Sequence, residues 1–496
     1  MSLFRKKDLS AMLAQAEDGG KGLKRTLGAG NLIALGVGAI IGAGLFVRTA
    51  AAAGQAAGPA VTISFIVAAI GCAFAGLCYA EFAAMIPISG SAYAYSYVTM
   101  GETVAWIIGW ALIMEYALGA ATVSIAWSEY LNKLLGGSIP YEWSHSPFES
   151  VTDAAGVVHH GIMNAPALVI LLLLTLLLIK GTQESAIVNA IIVFIKVAIV
   201  LLFIFIGWKF INPANHTPYL IPADQAPVKD ASGKVIADYS GVFKHGWGGV
   251  LGGAAIVFFA FIGFDAVSTA AQEAKNPKRD MPIGILGSLV VCTILYILFG
   301  HVLTGVANWK DFVDPLKGRE ASVAYAISTY MTGYGWLATA VTVAILAGFS
   351  SVILVMLMGQ SRVFFSMAND GLLPKVFSDL HPKYRTPYKS NWILFVFVGA
   401  FAAFVPGSVA GDLTSFGTLF AFVLVSAGVW ILRVKSPEME RPFKTPLVPL
   451  VPVLGAIICL AMIFALDTQT LKVAFAWMAL GLLVYFVYSR KHSKLN

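Results

Sequence analysis

The chain has 496 residues, 58% of them hydrophobic and only 12% charged, with 33 Lys and Arg against 26 Asp and Glu for a net charge of +7. Soluble domains carry about 25% charged residues, so this composition, with a mean hydropathy of +0.79 and repeated apolar runs, belongs in a bilayer and excludes a soluble enzyme, a solenoid and a disordered protein. The basic residues lie between apolar spans rather than on one face, which argues against nucleic acid as a partner and gives them a topological role.

In chain order, residues 1–27 read as a tail: Arg5, Lys6, Lys7, Lys21, Lys24 and Arg25 are present, and a signal-peptide h-region is not. Apolar runs bounded by Pro, Gly and charge then predict about twelve transmembrane helices. They begin near Asn31, Val61, Thr103, Ala165, Ala186, Gly248, Ile283, Trp336, Trp392, Asp412, Val448 and Leu471. An even number returns both termini to one side. That side holds roughly two-thirds of the Lys and Arg, which predicts cytoplasmic termini.

The first span contains Gly36, Gly38, Gly42 and Gly44. Irregular backbone is tolerated at membrane depth only where protein buries it or a watery cavity lines it. Gly38 and Gly42 also fit a small-xxx-small packing motif, and both readings stand at this point. A dinucleotide-binding fingerprint does not, because Ile41 occupies the position of its third glycine. If the span unwinds at Gly42 to Gly44, the amides of Ala43 and Gly44 open a half-helix whose positive end suits an anion.

Glu81 and Arg362 fall near the cytoplasmic span ends, where gating pairs and interfacial anchors are both common, and they read as anchors; Glu115 lies deep in the third span. Such a carboxylate faces a substrate cation or pairs with a buried lysine. The loop from about Gly136 to Met163 carries His145, His159 and His160, which lack a carboxylate or Cys at metal-ligand spacing and read as solvated. No cofactor or metal is implied. Cys72, Cys78, Cys292 and Cys459 are dispersed in apolar stretches without a CxxC pair.

Lys196 lies about 15 Å into the fifth span at 1.5 Å per residue, too deep to reach the interface easily. A mid-membrane lysine costs about 2.5 to 3.5 kcal/mol on insertion scales. It reads as a proton-coupling group or ion surrogate, against a structural lysine bonded to carbonyls. In the sixth span, Phe259, Ala260, Phe261, Ile262, Gly263, Phe264 and Asp265 repeat the glycine interruption at the matching place in a second half. Paired interruptions point to a transporter site between inverted repeats. Asp265 either supports the broken helix or faces the path inward, and Phe259 is placed to act as a lid.

The chain resembles the amino acid, polyamine and organocation transporter superfamily, and within it the cationic amino acid transporter family. The likeness is carried by Lys24-Arg25-Thr26-Leu27-Gly28 leading into Gly42-Ala43-Gly44, and by Cys78-Tyr79-Ala80-Glu81-Phe82 through Pro87-Ile88-Ser89-Gly90-Ser91-Ala92-Tyr93. Further on it runs through Phe261 to Asp265, Glu273-Ala274-Lys275-Asn276-Pro277-Lys278-Arg279-Asp280, and Pro442-Phe443-Lys444-Thr445-Pro446. The resemblance implies an all-α membrane protein with a five-plus-five inverted repeat and two extra C-terminal helices, working by alternating access. It implies that Ile40, Ile41, Gly42, Ala43 and Gly44 hold the α-amino and α-carboxylate groups. Phe259, Ala260 and Ile262 would supply carbonyls and an aromatic gate, and Lys196 would stand in place of a sodium ion. Glu115 matches no motif of the family.

The resulting expectation is a multi-pass plasma-membrane amino acid transporter, not an enzyme, with protons and membrane lipids as its other partners. It favours cationic amino acids such as arginine, lysine and ornithine. A carrier of small neutral amino acids or an exchanger is the alternative, and a receptor or channel is the rival from another class. Its organisation would be a tail at 1–27, a first repeat at 28–211, a loop at 212–246, a second repeat at 247–433, two spans at 434–489 and a tail at 490–496. The sequence leaves open whether a small membrane subunit accompanies it.

Overall fold

The computed structural model describes residues 5–7, 27–42, 44–86, 91–153, 156–180, 186–269, 274–315, 317, 322–384 and 386–495, with backbone alone at Ser91, 186–190, Ala266 and Thr269. Ala43, one of the expected binding residues, lies outside this set. The fold is all-α. Among the described residues seven helical stretches are long and apolar enough to cross a membrane, and five shorter apolar helices accompany them.

The first span is Ala29–Ile40 followed, after a break, by helix from Gly44 to Ala57; the second is Val61–Met85. Gly58, at φ 60 and followed by Pro59, makes the turn between them. The third and fourth are Glu102–Leu134 and Ala165–Lys180, and the fifth is Ala186–Gly207. The sixth opens with Gly246–Val257, and the seventh and eighth are Pro277–Val306 and Gly335–Asn369. Tyr388–Phe404, Gly407–Lys435, Leu450–Phe464 and Thr468–His492 complete the twelve. The seventh starts earlier than the expected Ile283, because Pro277 suits a first helical turn and the Asp280 carboxylate accepts from the Asn276 amide at 3.2 Å. Hydropathy sees only where charge stops.

The seventh span packs along the first and second, the eighth against the third, and the ninth against the fourth. Small residues allow the close crossings: a Cβ on Gly76 would meet Leu289 at 2.8 Å. Two antiparallel hairpins, Ser150–Thr152 with Val158–His160 and Val228–Lys229 with Val235–Ala237, sit in the long loops. At the opposite end the two chain termini meet. Arg5 Nη1 donates to the Leu495 carbonyl at 2.7 Å, and Lys7 Nζ pairs with Asp370 at 2.8 Å.

Candidate functional site

Neither interrupted span is a continuous helix at its centre. In the first, α-helix ends at Ile40, Ile41 is extended at ψ 103, and the chain rewinds from Gly44 as a π turn. The Gly42 carbonyl accepts from the Leu45 and Phe46 amides at 3.1 and 3.4 Å, so it caps the new half-helix. In the sixth span α-helix gives way to a 3₁₀ turn at Phe258–Phe261, Ile262 is extended at ψ 135, and Gly263 takes φ 113. L side chains rarely adopt that φ, so glycine is required there. A helical turn resumes at Ala266–Thr269.

The two breaks cross antiparallel. A Cβ on Gly44 would overlap Ala260 Cα, and one on Gly263 would sit 2.9 Å from the Ala39 carbonyl oxygen. Glycine at 44 therefore lets backbone touch backbone. Between the breaks and the eighth span lies a cavity of about 30 Å³ lined by residues including Ala39, Tyr116, Ile262, Gly263, Val352 and Arg362. That holds about one water and no amino acid.

Carbonyls released by the breaks are taken up by side chains from other spans. Lys196 is buried and donates to the Gly38 carbonyl at 3.0 Å. Gly348 makes room for its stem, since a Cβ there would meet Lys196 Cε at 2.7 Å. The Tyr296 hydroxyl lies 3.0 Å from the Ile40 oxygen and 2.8 Å from the Ala260 oxygen. Asp265, placed just before the rewound turn of the sixth span, accepts from the Tyr116 hydroxyl at 2.6 Å. Glu115 sits in a π turn of the third span with Asp265 and Thr418 as polar neighbours, and among the described residues its oxygens make no well-formed hydrogen bond.

A family model described as amino acid permease matches residues 27–488. The chain belongs to that family. It is a membrane-spanning amino acid transporter of the amino acid, polyamine and organocation superfamily, and not an enzyme. The permease is 44% identical to a branched-chain amino acid permease, BcaP, of Bacillus subtilis (strain 168), over 100% of this chain and 99% of that one. It is 41% identical to a methylthioribose transporter of the same organism over the same shares of both chains. It is 33% identical to human cationic amino acid transporter 4, over 86% of this chain and 63% of that one.

Of the expected site residues, Ile40, Ile41, Gly42, Gly44, Phe259, Ala260 and Ile262 meet at the crossing and are buried. Lys196 reaches the first break and Asp265 the second. Arg48, Tyr296 and Tyr116 bond across the spans but are not singled out by the sequence. Arg48, one turn beyond Gly44 and 3% exposed, pairs with Asp412 of the tenth span on the loop side of the breaks. It lies in the same apolar run as the glycines, so the depth argument that flagged Lys196 applies to it as well. Tyr296 and Tyr116 carry no charge, and that argument misses them. Glu81 is not an interfacial anchor: it is 1% exposed and accepts from Arg433 Nε and Nη2 at 2.9 Å each and from the Thr445 amide at 2.8 Å, with Arg441 Nε 3.2 Å away. This clasp ties the second span to the tenth and to the segment after it. Arg362 is exposed and also lines the cavity. In the loops, His159 bonds to Glu142 and Asp153, and His145 to Ser144 and the Tyr141 carbonyl.

Proposed function

We propose that the permease is a proton-coupled secondary transporter, working by alternating access, whose preferred cargo is a neutral amino acid with an apolar side chain. One observation carries the cargo class. The face of the eighth span turned toward the first break is apolar: Val352 Cγ1 and Cγ2 approach Gly42, and Phe349 packs on Phe46 and Tyr130 at centroid distances of 6.2 and 5.7 Å. Buried hydrocarbon there favours a branched aliphatic side chain by about 0.8 kcal/mol per CH₂ and offers an arginine head no partner. The 44% identity to a branched-chain amino acid permease supports the same class. The cationic reading is the second, supported by the buried Glu115 and by the 33% identity to human cationic amino acid transporter 4.

Proton coupling follows from that cargo. A cationic amino acid accumulates on membrane potential alone, at about 2.3 kcal/mol per 100 mV, but a neutral one needs a coupled ion or a counter-transported solute. Lys196, alone in its span as a titratable group and bonded to a carbonyl of the first break, is the residue assigned to carry the proton. We read residues 28–211 and 247–433 as the two inverted halves. We assign the permease to the plasma membrane with both termini in the cytoplasm, on the bias of Lys and Arg to that side.

The test is uptake into proteoliposomes. Labelled leucine should enter saturably, faster when unlabelled leucine waits inside and faster with an inward proton gradient. Valine and isoleucine should compete, while arginine and lysine should not. Competition by arginine at matching concentration would favour the cationic reading, and binding without uptake would overturn the carrier.

A further inference from the structure

Tyr296 of the seventh span is fully buried, and its ring is wedged between Phe65 and Phe261 at centroid distances of 5.3 Å to each. That wedge aims its hydroxyl at two carbonyls that belong to different breaks, Ile40 at 3.0 Å and Ala260 at 2.8 Å. A hydroxyl has one proton to give, so it satisfies one carbonyl at a time. Among the described residues no backbone amide joins it at either oxygen. Among the described residues the crossing thus offers two convergent carbonyl acceptors to one hydroxyl donor.

An ammonium group reverses that shortage. It brings three donors and a full charge, and charge-assisted hydrogen bonds are roughly twice as strong as neutral ones. We propose that the Tyr296 hydroxyl is an internal stand-in for the substrate's ammonium group: it keeps the Ile40 and Ala260 carbonyls converged while the site is closed, and yields them to the amine of an entering amino acid. The inference rests on the amino acid reading of this site and adds a specificity rule to it. A cargo must bring an amine. A hydroxyl in the amine's place offers the same single proton that Tyr296 already supplies, and gains nothing by displacing it. The stand-in also lowers affinity, because every binding event first breaks its bond.

The experiment compares purified wild type with Tyr296→Phe, using L-leucine or whichever of the twenty amino acids the wild type binds best. Removing the hydroxyl should lower the melting temperature without ligand, enlarge the shift that ligand produces, and tighten binding about fivefold, the worth of one neutral hydrogen bond. A merely structural tyrosine would lower stability without tightening binding. Weaker or unchanged binding by Tyr296→Phe overturns the proposal. If that variant does not fold, the wild type decides: its affinity for the 2-hydroxy acid analogue of the same amino acid should be at least about tenfold weaker, and equal affinity overturns the proposal. Failure of the wild type to bind any amino acid would instead remove the transporter reading on which the inference rests.

Discussion

A lysine from the fifth span holds the first break, a tyrosine from the third span holds the second, and the Tyr296 hydroxyl touches both. At the first, the ammonium of Lys196 sits on the Gly38 carbonyl, in the last turn of Ala29–Ile40, where the helix end is negative. At the second, the carboxylate of Asp265 stands before the rewound turn Ala266–Thr269, where the helix end is positive, and Tyr116 holds it with a phenolic proton. Each ionisable group has the sign its helix end requires. The donors differ in a way that matters for transport. The proposed proton transfer at Lys196 would release the Gly38 carbonyl, while the Tyr296 and Tyr116 hydroxyls keep their hold on Ile40 and Asp265. The proposed coupling thus lies at Lys196, and the tyrosine bonds are assigned to holding the breaks together.

The comparison breaks most severely if the two backbones are forced apart. Gly44→Val should reduce leucine uptake by at least about a hundredfold and lower stability by about 1 to 3 kcal/mol or more, the usual cost of overpacking, because the new side chain overlaps Ala260. Retained uptake would mean that the breaks are not in contact when transport occurs. Lys196→Ala should next abolish accumulation driven by a proton gradient, a loss of about tenfold or more, while leucine exchange without a gradient survives. Uptake whose pH dependence matches the wild type would remove Lys196 from coupling.

Tyr116→Phe sharpens the contrast from the other side. Hydrogen bonds to charged groups are worth about 1.5 to 3 kcal/mol, so the melting temperature should fall measurably. The pH profile of uptake should keep its shape, and a displaced profile would place coupling at the second break after all. The smallest effect is expected at Glu115→Gln, which should change leucine affinity less than about threefold. A larger loss for arginine than for leucine in competition assays would revive the cationic reading.

Much of this site could be read in the chain because its materials are rare in membranes. Glycines clustered inside an apolar run, a lysine at mid-depth and a glycine two residues before Asp265 all violate the expectations of an ordinary spanning helix, and each sits at or beside a break. The partners of these residues were not legible. Arg48 meets Asp412, and Glu81 meets Arg433 and Arg441, across several hundred residues of chain, and span periodicity does not state which helices touch. Asp412 even appeared as the start of the tenth span, whereas the helix runs from Gly407 after Pro406. Tyr296 was invisible for another reason: a tyrosine is ordinary in an apolar helix, and only its two hydrogen bonds give it a function. The cargo class stayed open because the eighth span is apolar almost all round, so its sequence does not reveal which face meets the first break.

Transport as proposed depends on peptide groups of both breaks gripping the two poles of one amino acid. Its most direct test is an experimental structure with L-leucine bound. The ammonium should lie within about 3 Å of the Ile40 and Ala260 carbonyl oxygens, with the carboxylate on the amides that open the half-helix at Gly44. Leucine seated against Glu115 and Asp265, with the first and sixth spans wound through as unbroken helix, would contradict it.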